Sequence, residues 1–351
     1  MNDSVFDNAV MVQSMLERLK AGQSAGSRDI GIEIRRAVAL ALADFSGSIS
    51  SKSRAEMIAK ALKRELKPVL DNHASLLLDA ADKTSLQMAE LEYLSFVQVF
   101  GDEVVKKAGE DALRKSMRNS PMSLKNWNGP LYLPEFIEAW GVMASTQVTN
   151  EVVRTFSDNG TVSDLQQSIN GSHSDAGAYA VVSKIVLDYD AISRTALQHA
   201  HSMSAVEFYM ENPDIVDEEE FAAILDNKTS TLCRSLDGTT YPVGKGPRPP
   251  LHIRCRSRML PVINKRFRSM LKQDAPGDSV YGEETYYQWL ERQSVKRQDI
   301  ILGPTRGKLF RDGGLTPDQF AKLQLHKNFK PMTLEDMKKA APDAFERAGL
   351  N

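Results

Sequence analysis

The chain has 351 residues, with 44 lysines and arginines against 46 aspartates and glutamates, for a formal net charge of −2. At 42% hydrophobic and 26% charged its composition is globular, which excludes a wholly disordered chain, a collagen and a disulfide-dense secreted scaffold. So balanced a charge leaves no global field to draw the protein onto nucleic acid or a membrane, and at about 150 residues per domain the length suits two domains or one elaborated one.

The opening, Met1 to Asn8, lacks the basic and apolar regions of a secretory signal, and no apolar run reaches the ~18 residues of a membrane span. Synthesis in a cytoplasm and no membrane partner are expected. Val5, Ala9, Val12, Leu16 and Leu19 recur at helical spacing and predict a helix over 4–20. A Gly/Ser break at 22–27 precedes a second stripe from Ile32 to Phe45. Ser53 with Glu56 is a capping-box pair that opens a helix towards Leu66, which Pro68 is expected to end or kink. Thr84 with Gln87 opens another. These stripes read as core or bundle interface.

A turn-rich break at 119–130 predicts a boundary. Helix resumes from Pro134 to Phe156, with Ser163 the expected cap of the next helix. A polar stretch at 170–177 reads as an exposed loop. A long helix follows over 178–210, with a break near Asp190. Within the acidic run Asp217 to Glu220, Glu218, Glu219 and Glu220 read as a solvated acidic face.

After residue 220 the texture changes. Short β-prone pieces at Phe221–Leu225, Thr239–Val243 and Ser257–Ile263 alternate with Gly/Pro-rich turns. The tail returns to helix over 283–300, after Thr316-Pro317-Asp318-Gln319, and after Thr333. The fold class expected is α+β, predominantly α. A helical N-terminal region at 1–130 leads into a helical connector at 131–215. A small mixed α+β module with short antiparallel strands and C-terminal helices occupies 216–351.

Catalytic motifs are scarce. The stretch from Gly238 to Lys245 imitates a phosphate-binding loop, but it has five residues between its glycines, an internal proline, and Gly246 where a magnesium-holding hydroxyl belongs. His199 and His201 are two apart on a helix and face different ways. Arg194-Thr195 reads as a solvated or capping pair.

The dense region is 226–258. It contains Cys233 and Cys255, the only cysteines, and His252 three residues before the second. In a reducing compartment such thiols serve as free thiols or metal ligands sooner than as a staple. Cys233, His252 and Cys255 are expected to converge. The competing readings are a zinc site, with Asp226, Asp237 or water as fourth ligand, and a small polar core. In that core His252 bonds a turn carbonyl and Asp226 caps the turn at Lys228-Thr229. Arg254, Arg256 and Arg258 alternate, as residues on one face of a strand do. With Lys265, Arg266 and Arg268 they form a candidate phosphate-contacting cluster.

Two strings carry a family likeness. The first is Leu225-Asp226-x-x-Thr229, Cys233, Asp237-Gly238, then Gly246-Pro-Arg-Pro249-Pro250-Leu-His252-x-x-Cys255-Arg256. The second runs from Thr285-Tyr-Tyr-Gln-Trp289 through Gly303-Pro-Thr-Arg306 to Gly313. Together they resemble the phage Mu protein F-like head-morphogenesis proteins, the minor capsid or minor head proteins of tailed bacteriophages. The likeness covers about 190–340, with Ile253-Arg254 standing where Pro-Asn is usual. It implies a structural, non-enzymatic component of the virion head, made in the host cytoplasm. Its implied partners are the portal and other head proteins, and packaged double-stranded DNA during packaging or ejection. No small-molecule substrate is implied. No cofactor is implied either; zinc enters only through the Cys/His set.

Two other classes compete. One is a DNA-binding virion protein using 254–268. The other is a zinc-dependent hydrolase or nuclease on Cys233, His252 and Cys255, which would need an open metal position and a carboxylate base. The amphipathic helices of 1–120 are expected to contact the portal or another head component, and their deletion to leave 220–340 soluble.

Overall fold

A computed structural model describes residues 5–124, 130–171, 180–224, 228–267, 285–326 and 331–350. The fold is α+β and predominantly α, with one three-stranded antiparallel sheet. The chain divides into two units interleaved along the sequence. One comprises 12–90 and 109–204; the other comprises 1–11, 91–108 and 205–351. The sequence reading instead takes its segments in order.

In the first unit, α1 (Val5–Ala25) buries Val12 and Leu16, and α2 (Ser27–Leu42) begins almost at once. The expected Gly/Ser break shrinks to a turn at Gly26. The helix α3 (Lys52–Phe100) runs 49 residues and continues past Pro68, which does not end it. Proline removes the N–H that would reach the Arg64 carbonyl. Both residues are exposed, so water can take that carbonyl. The buried stripe of Leu62, Leu66, Leu70, Leu77, Ala81 and Met88 continues past the defect.

The α3 cap is Ser51, whose hydroxyl accepts from the Arg54 N–H at 3.2 Å, and not Ser53. Thr84 opens no new helix; its hydroxyl donates to the Ala80 carbonyl one turn back. α4 (Glu110–Asn119) and α5 (Leu133–Ser157) follow. α6 (Val162–Asn170) is capped by Thr161 in a reciprocal box with Asp164, two residues before the expected Ser163.

The stretch 172–177 and residues 178–179 lie outside the described residues. The helix α7 (Val181–Glu211) passes Asp190 unbroken, and Asp190 pairs with Arg194 at 3.0 Å. In this unit Trp140 packs on Tyr189 at 4.8 Å, and His73 meets Tyr189 edge-on at 5.7 Å. His199 bonds the Met117 carbonyl at 3.0 Å.

In the second unit the sheet order is β2-β1-β3, with β1 (Val216–Ala222) central between β2 (Thr240–Pro242) and β3 (Arg258–Ile263). The acidic run is therefore a strand, not only a solvated face. Glu219 is fully buried, where both its oxygens meet the Arg248 guanidinium and the Gly244 N–H donates to it at 2.9 Å. A buried carboxylate is tolerable when it is paired and hydrogen-bonded in this way. The Gly-rich loop that imitates a phosphate cradle thus turns an N–H to a carboxylate of its own sheet.

Residues 91–108 complete this unit. Phe96 stacks edge-on to Phe208 at 5.0 Å, Phe100 meets Phe267 at 5.9 Å, and Glu92 bonds Arg258 at 3.1 Å with both side chains buried. A fragment without 1–120 would lose Glu92, Phe96 and Phe100 from this unit, contacts that the expected soluble 220–340 fragment does without.

A short helix, α8 (Thr231–Leu236), follows β1. The tail folds as α9 (Tyr286–Glu291), α10 (Val295–Leu302), α11 (Pro304–Asp312), α12 (Pro317–Leu323), α13 (Leu334–Ala340) and α14 (Pro342–Arg347). The single helix expected over 283–300 is two, because Ser294 caps a new one through the Arg297 N–H. Thr316/Gln319 and Thr333/Asp336 cap where their spacing predicts. The tail core gathers Tyr286, Tyr287, Leu290, Phe310, Phe320, Met337 and Phe345.

Candidate metal centre

The candidate centre sits where α8 meets the turn at 252–255. Ser230 caps α8, its hydroxyl accepting the Cys233 N–H at 3.2 Å, which fixes Cys233 in the first turn. The Cys255 N–H returns to the His252 carbonyl at 3.1 Å, closing a tight turn in which Arg254 takes a left-handed φ of 60°. Both sulfurs are buried in a core with Phe221, Leu232, Leu236, Leu251 and Met259.

The three side chains meet. Cys233 Sγ lies 3.8 Å from Cys255 Sγ and 3.3 Å from His252 Nε2, and all three donor atoms fall within 4.8 Å of one another. His252 Nδ1 lies 3.0 Å from the Ile253 carbonyl. A carbonyl only accepts, so Nδ1 carries the proton and Nε2 turns to the sulfurs and to Ser230 Oγ at 3.0 Å.

The two thiols are driven apart. The hydrogen bond from Cys233, aided by His252, pulls the Cys255 thiol well below its usual range despite burial. The same sulfur contact, and then burial, pushes the Cys233 thiol up. The partnership with Cys255 raises His252 against the opposing effect of burial.

Asp226 and Arg268 lie outside the described residues. Asp237 is not part of the Cys/His group. Its carboxylate accepts the Ala223 and Tyr286 N–H groups, each at 2.6 Å. Burial raises it to about 7 against the pull of those two donors. Gly238 follows with a left-handed φ of 74°, and a Cβ there would stand 2.7 Å from Thr285 Cγ2, so both geometry and space demand glycine.

The remaining motif residues are architectural. Thr229 donates to the Ile224 carbonyl. Pro249 and Pro250 are buried. Trp289 packs on the tail core beneath Arg297, Gly303 separates α10 from α11 with φ 80°, and Arg306 reaches the Met332 carbonyl at 2.9 Å. Arg256 is half-buried beside the second cysteine.

The basic cluster is not one strand face. Arg254 is in the turn, Arg256 precedes the strand, and only Arg258 lies in β3, buried against Glu92. Lys265 is exposed and Arg266 pairs with Asp214 at 2.6 Å. Two contributors escaped sequence reasoning. Ser230, at the cap position three residues before Cys233, was the legible one. Arg234, which donates to the Ile301 carbonyl at 3.1 Å, left no local signal.

No family model matches the chain, and comparison with curated proteins and with solved structures finds no match.

Proposed function

We propose that this chain is a structural minor head protein of a tailed bacteriophage or prophage, acting in head morphogenesis beside the portal. The observation that carries the reading is the interlocking of the two strings behind the family likeness. Asp237 of the first holds the Tyr286 N–H that opens the second, Gly238 packs under Thr285, and Ser235 Oγ lies 3.3 Å from the Tyr287 hydroxyl. Arg234 reaches across to Ile301. The two strings meet at this carboxylate although Asp237 and Tyr286 lie 49 apart in sequence.

The residues in question serve the fold, as expected of an assembly component. The DNA-binding reading has less support, because burial takes Arg258 out of any phosphate-contacting surface. Disrupting the gene in the phage that encodes it tests the proposal. The expected result is defective heads or particles that fail to deliver DNA, restored by the gene in trans. Unchanged particle yield and infectivity would contradict it.

A further inference from the structure

We propose that Cys233, His252 and Cys255 bind a zinc ion, with the two thiolates and His252 Nε2 at three corners of a tetrahedron and water at the fourth. The inference is independent of the head-protein reading; it rests on the geometry of one corner of the second unit.

Two of the three donor distances lie close to those of a zinc site. With Zn–S near 2.3 Å and Zn–N near 2.0–2.1 Å, a tetrahedral site sets its sulfurs about 3.8 Å apart and each sulfur about 3.6 Å from the nitrogen. The sulfurs here are 3.8 Å apart, and Cys233 Sγ is 3.3 Å from Nε2. All three donors lie within 4.8 Å of one another, so a single ion can draw them together with shifts of about an ångström.

The histidine is also prepared. A metal-bound imidazole uses one nitrogen as ligand and donates the other N–H to a carbonyl or carboxylate, which fixes its tautomer and orientation. The bond from Nδ1 to the Ile253 carbonyl does this and leaves Nε2 for the ion.

The chemistry of the donor set selects the metal. Two thiolates and an imidazole suit zinc and exclude magnesium and calcium, which take oxygen ligands. On loading, both thiols give up their protons to solvent. Zn²⁺ with two thiolates and a neutral imidazole has no net charge, so a corner whose two sulfurs are buried can hold it without an uncompensated ion. Among the described residues no fourth Cys, His or carboxylate joins the group. The fourth position falls to solvent, on the side where His252 is only half-buried. The ion would clip the first turn of α8 to the 252–255 turn, stabilising the loop-rich half of the sheet module.

The test uses the full-length chain, reduced until both thiols titrate after denaturation, so that no disulfide hides the site. The metal-free protein is loaded with Zn²⁺ and, separately, with Co²⁺. Stoichiometric zinc should survive gel filtration. Cobalt should show sulfur-to-metal charge transfer and the visible bands of a tetrahedral ion. Cys255→Ser and Cys233→Ser should each lose both signals. The wild-type measurement stands even if a variant fails to fold: a fully reduced wild-type chain that retains no zinc and gives a featureless cobalt spectrum overturns the proposal. So does a folded Cys255→Ser chain that retains zinc as well as the wild type.

Discussion

Asp237 shows how much one side chain can hold. Its two oxygens join the end of β1 to the start of α9 by accepting the Ala223 and Tyr286 backbone amides. Asp237→Asn keeps the shape but turns an NH₂ towards one of those amides, leaving a part-buried donor unsatisfied at about 1–3 kcal/mol. The pH dependence has a definite sign. A carboxyl raised from 3.8 to about 7 on folding favours the folded state at low pH, and that contribution is lost as pH rises through about 4 to 7. The stability gap between wild type and Asp237→Asn should therefore be widest in acid and narrow towards pH 8, measured by denaturant unfolding at several pH values. A gap that widens with pH would contradict the raised carboxyl. At this scale the Cys/His set was legible, because His252 and Cys255 sit three apart and one turn can present both. The double acceptance by Asp237 was not, because its partners lie 14 and 49 residues away in sequence.

The same division runs through the elements. Caps were legible where hydroxyl and acceptor stand three apart and the next residues are helix formers, as at Thr316 and Thr333. They slipped by two residues where several serines and threonines compete, as at Ser51 and Thr161. Strand β1 was hidden because its acidic run looks solvated; Arg248, 29 residues on, together with the Gly244 N–H, makes a buried Glu219 tolerable. Helix α3 hid its continuity behind Pro68, since a local rule ends helices at proline while a buried stripe on both sides outweighs it. That account makes a prediction. Pro68→Ala restores a hydrogen bond to the Arg64 carbonyl on an exposed face. The gain, up to about 3 kcal/mol in helix propensity, is reduced by roughly 0.4–1 kcal/mol of added unfolded-chain freedom. The variant should melt at higher temperature than the wild type. A lower melting temperature would show that the proline shapes the helix in a way its neighbours depend on.

For the whole molecule, the fold class was legible in the change of texture after residue 220, since helical periodicity and Gly/Pro-punctuated strands are both local patterns. The assignment of segments to units was not. Residues 91–108 belong with 205–351 through Glu92, Phe96 and Phe100, and sequence spacing carries no trace of such distant pairings. Truncations meant to separate an assembly arm from the sheet module must respect that pairing. No helix among the described residues is long and apolar enough to cross a membrane, and the near-zero net charge supplies no general attraction to DNA. The most direct test of the proposed head-protein role is quantitative mass spectrometry of density-purified, nuclease-treated particles from the proposed phage or prophage, set against the producing lysate. The account predicts the chain in the particles at a fixed ratio to the portal protein; a chain abundant in the lysate and absent from intact particles would contradict it.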